Sequence, residues 1–407
     1  MSPSLPLTGF RIISAEQYGA GPYGTMHLAQ LGAEVIKIEP PRKDGPDGKK
    51  IGGGDTARAV GPHFLSKGES LYFQSFNLNK KSLTLDLRTD EGQEIFRKLA
   101  ATSHVVANNM RGDLPEKLGL TYDALKDVNP ALVCAHLSAY GRDNERAKWP
   151  GYDYLMQAEA GYCAVTGEPG TEPQRMGLSM VDFMTGTIFT IGLLAALTDA
   201  QRTGKGRDVD TDLLSAAVHQ TSYPALWYMN EGDETQRTPR SAHPTATPSQ
   251  MFEAADGWMF VMCQLPKFWD ILTERMGRSD LLSDPRFASN ADRLANRQAL
   301  TQLLDAEFSQ KPMAHWQDLL AGYVPVAPVY ELADAMDNPW LETIGMRDKV
   351  DHPDRKGMDV LASPIKLDGQ RLPNRAAPLL GADSDAVLSE LGYDDHAIAK
   401  LRGDGIV

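Results

Sequence analysis

Short apolar runs alternate with helical periodicity from Phe10 to Cys134, and this alternation limits the fold more than any other feature of the chain. Phe10-Arg11-Ile12-Ile13, Glu34-Val35-Ile36-Lys37-Ile38-Glu39, Leu83-Thr84-Leu85-Asp86-Leu87, Val105-Val106-Ala107 and Leu132-Val133-Cys134 read as strands. Pro22–Leu31 reads as a helix with proline in its first turn and Gly32 closing it. Asp90–Ala101 is amphipathic, with Ile95, Phe96 and Leu99 on one face. A β-α-β-α order of this kind pairs its strands in parallel and covers both faces with helices. The expected fold class is therefore α/β. Between Asp44 and Gly68 the chain is rich in Gly, Lys and Asp and reads as a long loop. From about His219 the pattern changes to a strand at Gly257–Met262, helices at Lys267–Met276, Arg293–Phe308 and Ala314–Ala321, and an extended segment at Val324–Val329, a smaller α+β unit. A short helix is expected around His396–Arg402.

At 407 residues the chain is long for one core and suggests two domains. No uninterrupted apolar stretch reaches the roughly 18 residues that span a bilayer, so no membrane association is expected. The start, Met1–Thr8, lacks the basic and apolar regions of a signal peptide. Three scattered cysteines, Cys134, Cys163 and Cys263, make neither a disulfide frame nor a zinc site, so a cytoplasmic protein without a metal is expected. A net charge of −13 argues against nucleic-acid affinity and requires any anionic ligand to be held by a local cluster of bases.

Asp182 stands in Met180-Val181-Asp182-Phe183-Met184-Thr185-Gly186, ahead of the apolar run Thr187–Leu197. A carboxylate leading into a buried helix serves either as its cap or as a functional group at the positive end of the helix dipole. By position alone the cap is the commoner use.

Gly19-Ala20-Gly21-Pro22-Tyr23-Gly24 matches the glycine fingerprint of a dinucleotide site, and Glu39 follows Gly19 by 20 residues, where an acid would bind ribose hydroxyls. Against that reading, Pro22 removes an N–H from the helix start, and the long loop after Glu39 displaces the next helix. The alternative is a tight strand-to-helix turn.

Over its whole length the sequence resembles the class III coenzyme A transferases, the group that includes formyl-CoA transferase and carnitine CoA-transferase. The resemblance is carried by Ala20-Gly21-Pro22 with Leu28–Pro41, by Asn77–Leu87, by Asn108-Asn109-Met110 with Lys117–Leu120, by Pro150-Gly151-Tyr152-Asp153 with Gln157-Ala158, by Pro378–Gly381 and by Gly405-Ile406-Val407. It implies a Rossmann-like large domain with a parallel sheet made from 1–215 and a C-terminal return at 331–407, with a smaller α+β domain at 216–330. It implies an interlocked homodimer. It also implies CoA transfer from an acyl-CoA to a free carboxylic acid through anhydride and aspartyl-CoA thioester intermediates on Asp182. Acyl-CoA and acid are then the substrates, with no permanently bound cofactor.

The related α-methylacyl-CoA racemases place a histidine where Tyr152 stands. A phenol with a reference pKa near 10 is a poor base at neutral pH, so Tyr152 argues against the alternative of a racemase or epimerase. A dinucleotide-dependent oxidoreductase is the more distant alternative, and a CoA-binding relative without turnover is a further one. Asp153 matches an acid close to the nucleophile in formyl-CoA transferase. By the same resemblance Tyr18, Leu85, Arg88, Asn109, Met110 and Lys117 match CoA-contacting positions, with Arg88 and Lys117 on phosphates. Pro40 and Pro150 stand where relatives carry Arg and Lys, and Arg42, Lys43 or Arg111 are candidates to substitute. A glycine-rich lid has no clear counterpart. His27 and His136 are expected beside apolar packing, without a role.

Overall fold

A computed structural model describes residues 5–44, 50–66 and 68–407. The expected loop Asp44–Gly68 therefore lies partly outside the described residues. The chain divides into two compact units. The first comprises 1–160, 176–222 and 342–407; the second comprises 161–175 and 223–341. The return to the first unit thus begins later than the sequence suggests, and Gly161–Arg175 goes with the second.

The first unit is built on six parallel strands: β1 (Arg11–Ala15), β2 (Glu34–Glu39), β3 (Lys81–Thr84), β4 (Val105–Asn108), β5 (Val133–Ser138) and β6 (Arg207–Asp212). Their spatial order is β3-β2-β1-β4-β5-β6. This is the doubly wound order, which reverses between β1 and β4 and leaves a crevice at the carboxyl ends of those two strands. Ile13, Ile36, Leu83 and Val106 from the sheet pack with Ile95, Phe96 and Leu99 of helix α2 (Asp90–Ala101) in one continuous core. Thr89 caps α2 by accepting a hydrogen bond from the Gly92 N–H.

On the sheet, helix α1 (Ala20–Gln30) crosses helix α4 (Met180–Thr203) at a glycine pair. A Cβ on Gly24 would lie 2.7 Å from the Gly186 carbonyl oxygen, and one on Gly186 would lie 2.5 Å from that of Ala20. Only glycines let the two backbones come this close. At 24 residues, α4 is long and apolar enough to cross a membrane by length and composition alone. One of its faces, with Val181, Phe189, Leu193, Leu197 and Ala200, is buried in the unit.

The second unit holds an antiparallel sheet of β7 (Ser249–Ala254), β8 (Gly257–Met262) and β9 (Val326–Pro328). Its core gathers Phe252, Trp269, Phe287, Phe308 and Trp316.

Candidate active site

The crevice at the carboxyl ends of β1 and β4 holds two neighbouring cavities. One, of about 450 Å³, is lined by Tyr18, Gly19, Asn109, Arg111, Tyr152 and Asp182 among others. The other, of about 240 Å³, is lined by Leu85, Arg88, Asn109, Met110, Pro40 and Asp55 among others. Asn109 and Met110 border both. The structure thus brings together every site residue expected from the sequence except Asp153, which is buried behind the first cavity, and Lys117, which borders neither.

Asp182 lies inside the first turn of α4, because the helix begins at Met180, ahead of where the apolar run suggests. It does not cap the helix. The N-cap residue is Ser179, which makes no side-chain cap bond, and the Asp182 N–H donates instead to Asp153 Oδ2 at 2.9 Å. Asp153 opens the short helix α3 (Asp153–Glu159) and is buried. Its other oxygen accepts from Gln157 Nε2 at 2.6 Å. Gln157 also donates to the Leu178 carbonyl and accepts from the Met176 N–H at 2.9 Å, tying the segment before α4 to α3. Burial, reinforced by the neighbouring charge of Asp153, pushes the Asp182 carboxyl up to about 7.

Across the cavity, the turn from β1 into α1 is pinned at two points. Asn109 accepts from the Gln17 N–H at 2.8 Å and donates to the Gln17 carbonyl at 2.7 Å. Asp55 Oδ1 accepts from the Tyr18 N–H at 3.1 Å. Tyr18 itself sits at φ 63°, in the left-handed region that a bulky residue rarely adopts. Its ring meets those of Tyr152 and Tyr72 edge-on, with centroids 6.0 and 6.2 Å away. Tyr152 is 61% exposed. The sequence reading missed Tyr72, whose phenol is pushed up to about 12 by burial and then by the charge of Asp182. It also missed Asp55, Gln17 and the bridging part of Gln157.

The glycine fingerprint receives a different explanation from a dinucleotide site. A Cβ on Gly19 would meet Asp182 Oδ2 at 2.7 Å, one on Gly21 would meet Asn109 Cβ at 2.8 Å, and Gly24 faces Gly186. Glu39, the supposed ribose ligand, is fully buried and already engaged. Arg58 donates to it at 2.7 and 2.8 Å, Ser82 Oγ at 2.7 Å and the Asp55 N–H at 2.8 Å.

The bases expected to meet phosphates are held by acids. Arg88 donates to Asp86 at 2.7 Å through Nε, and Lys117 and Arg111 share Asp113 at 2.6 and 3.0 Å. The charge of Lys43 also reaches Asp86. Arg42 borders a separate cavity with Glu69 and Arg402. His136 differs from expectation. It is buried in polar contacts, 2.7 Å from Asn108 Nδ2 and 2.8 Å from Asp208 Oδ1.

The model of CoA-transferase family III matches residues 7–384. The chain belongs to this family. Members similar to it include a succinyl-CoA:mesaconate CoA-transferase of Haloarcula marismortui, 33% identical over 95% of this chain and 97% of that protein. An acetyl-CoA:oxalate CoA-transferase of Acetobacter aceti is 32% identical, covering 95% and 96%. A succinyl-CoA:glutarate CoA-transferase of Mus musculus is 31% identical, covering 99% and 90%. Among solved structures of the family, a CAIB/BAIF family protein from Brucella suis superposes with a TM-score of 0.81 at 32% identity, covering 96% of this chain and all of that one. The protein is a family III CoA-transferase and moves CoA from an acyl-CoA to a free carboxylic acid.

Proposed function

We propose that Asp182 is the nucleophile and that dicarboxylic acids are the acids exchanged. The observation that carries the first part is the setting of Asp182: a carboxylate at a cavity wall, with its pKa raised by burial and by Asp153. A carboxylate made more basic is a better nucleophile once ionised. Asp182 attacks the thioester carbonyl, the C–S bond breaks, and a mixed anhydride and CoA thiolate result. The thiolate then attacks the Asp182 carbonyl, expels the donor acid and leaves an aspartyl-CoA thioester. The acceptor carboxylate reverses both steps, returning Asp182 as a carboxylate. Splitting the exchange this way replaces one difficult step by easier ones. Negative charge on the reacting carbonyl oxygen needs nearby donors. The first turn of α1 has no side-chain cap, so the amides of Ala20 and Gly21 are candidates. The α4 amide of Asp182 is already used by Asp153.

On this reading Tyr18 lies at the thioester end, Leu85, Asn109 and Met110 contact CoA, and Arg88 and Lys117 meet its phosphates, with Arg111 beside them. Asp153 holds the start of α4, and Tyr152 walls the cavity. CoA enters as substrate, without a permanently bound cofactor. The dicarboxylate assignment is supported by the names of the relatives. Incubation with succinyl-CoA and mesaconate, oxalate or glutarate, followed by mass spectrometry, is expected to yield the new CoA thioester. Transfer only to monocarboxylates would overturn the substrate class. Hydroxylamine trapping during turnover should mark Asp182, and an unmodified Asp182 in a turning-over enzyme would overturn the nucleophile.

We also take the enzyme to act as an interlocked homodimer in the cytoplasm. Support for association comes from the helix Ser222–Glu231, which buries none of its residues and exposes Leu226, Tyr228 and Met229. Sedimentation at a single-chain mass would overturn it.

A further inference from the structure

Behind the Tyr18 turn, charged side chains that ordinarily stay in water are sealed in the first unit. Lys37, on the interior strand β2, is fully buried and lies 2.9 Å from Asp55 Oδ2, itself without side-chain exposure. Lys37 also donates to the Glu16 carbonyl at 2.8 Å. Asp55 belongs to the loop after β2, and its backbone N–H is held by Glu39. Its Oδ1 accepts from two amides, Ala57 at 2.9 Å and Tyr18 at 3.1 Å. Burying such a pair costs desolvation that its mutual attraction only partly offsets, so stability alone is a weak reason for its presence. Tyr18 adds a second cost, because a tyrosine in the left-handed region is strained unless the surroundings enforce it. The next residue is Gly19, against which Asp182 packs.

We propose that Asp55 is a positioning residue for acyl transfer: clamped by Lys37, it holds Tyr18 in the left-handed conformation and thereby sets Gly19 and the start of α1 against Asp182. Asp55 acts through the turn. This inference rests on Asp182 being the nucleophile.

The test is a double-mutant cycle between Asp55→Ala and Tyr18→Gly, since glycine adopts the left-handed conformation without the enforcing bond. Asp55→Ala in the wild-type background is expected to lower kcat by about tenfold to a hundredfold, the cost of an ångström-scale misplacement, with KM for acyl-CoA little changed. Tyr18→Gly lowers activity by itself through loss of the ring, but adding Asp55→Ala to it should cost less than about threefold, as expected when one residue acts through the other. Equal losses from Asp55→Ala in both backgrounds would overturn the proposal, as would a change in melting temperature with unchanged kcat. Should Asp55→Ala not fold, Asp55→Asn keeps an acceptor oxygen for the Tyr18 amide. It loses the ion pair with Lys37, so kcat falls in the wild-type background, and that loss must shrink below about threefold in the Tyr18→Gly background; equal losses in both backgrounds overturn the proposal. Hydroxylamine trapping on the wild-type enzyme separates the two readings. An unmarked Asp182 sinks the nucleophile, whereas a marked Asp182 with an uncoupled cycle sinks only the positioning of Tyr18 by Asp55.

Discussion

The carboxylate of Asp182 occupies the space that a side chain on Gly19 would need: a Cβ there would stand 2.7 Å from Asp182 Oδ2. The backbone of Gly19, at φ −102°, is one that any residue adopts, so the requirement for glycine comes from the neighbour alone. Gly19→Ala is therefore expected to fold with a melting temperature close to wild type while kcat falls by about a hundredfold, the scale of a misplaced reacting group. Steady-state kinetics beside a thermal melt decide it, and a fully active Gly19→Ala refutes the contact. Gly186→Ala should do the opposite. Its Cβ meets the Ala20 carbonyl oxygen at 2.5 Å, and overpacking of a helix crossing costs about 1–3 kcal/mol of stability.

The pH profile follows from the raised pKa of Asp182. On the proposed mechanism only the carboxylate attacks, so kcat/KM is expected to climb with pH and level off above about 7. Burial is the larger cause and the charge of Asp153 the smaller. Asp153→Asn keeps an oxygen for the Asp182 amide but removes the charge, so the rising limb should move to lower pH without disappearing. A limb that stays in place would show that Asp153 does not tune Asp182.

Stability carries the same signature with its own sign. The folded-state pKa lies above the unfolded value near 4, so the folded protein holds this proton more tightly. The associated stability is complete at acid pH and is lost as pH rises to about 7. Asp182→Asn removes that loss. It should abolish transfer, yet be more stable than wild type at pH 8 by about 1–4 kcal/mol, with the gap closing toward pH 4. Denaturant melts at the two pH values measure it, and a gap independent of pH contradicts the raised pKa.

Arg88 borders the smaller cavity and is held by Asp86. If it turns to a phosphate of CoA, Arg88→Ala removes a hydrogen bond between charges, worth about 1.5–3 kcal/mol. The KM for acyl-CoA should rise about tenfold or more at unchanged kcat, and the effect should shrink at high salt. Lys117→Ala is expected to matter less, because Lys117 borders neither cavity and shares Asp113 with Arg111.

The legible parts of the sequence were those with a strong period. Glu34–Glu39 and Asp90–Ala101 form the elements their patterns predict, since burial on both faces of a strand and on one face of a helix leaves a clear apolar code. Strand β6 left none. Arg207-Asp208-Val209-Asp210-Thr211-Asp212 lies at the sheet edge, where solvent tolerates its charges. The start of α4 was placed late because Asp182 and Thr185-Gly186 interrupt its apolar pattern, and that hid the bond from the Asp182 amide to Asp153. The fingerprint Gly19–Gly24 was visible, but its meaning depended on what each glycine faces. Glu39 could not be separated from a ribose ligand without knowing that Arg58 reaches it. Asp55 was beyond reach for a similar reason. Its loop has no period, and its partners Lys37 and Tyr18 come from an interior strand and a strand-to-helix turn.

The doubly wound order of the sheet has one more consequence. Gly19 and Asn109 follow strands on the two sides of the reversal, whereas Asp182 arrives on the long helix before the edge strand. No short stretch of chain contains enough of this arrangement to make the carboxyl unusual. In an unfolded chain the burial that raises the Asp182 pKa is lost. On the proposed mechanism, covalent labelling of Asp182 is therefore itself a report of correct folding.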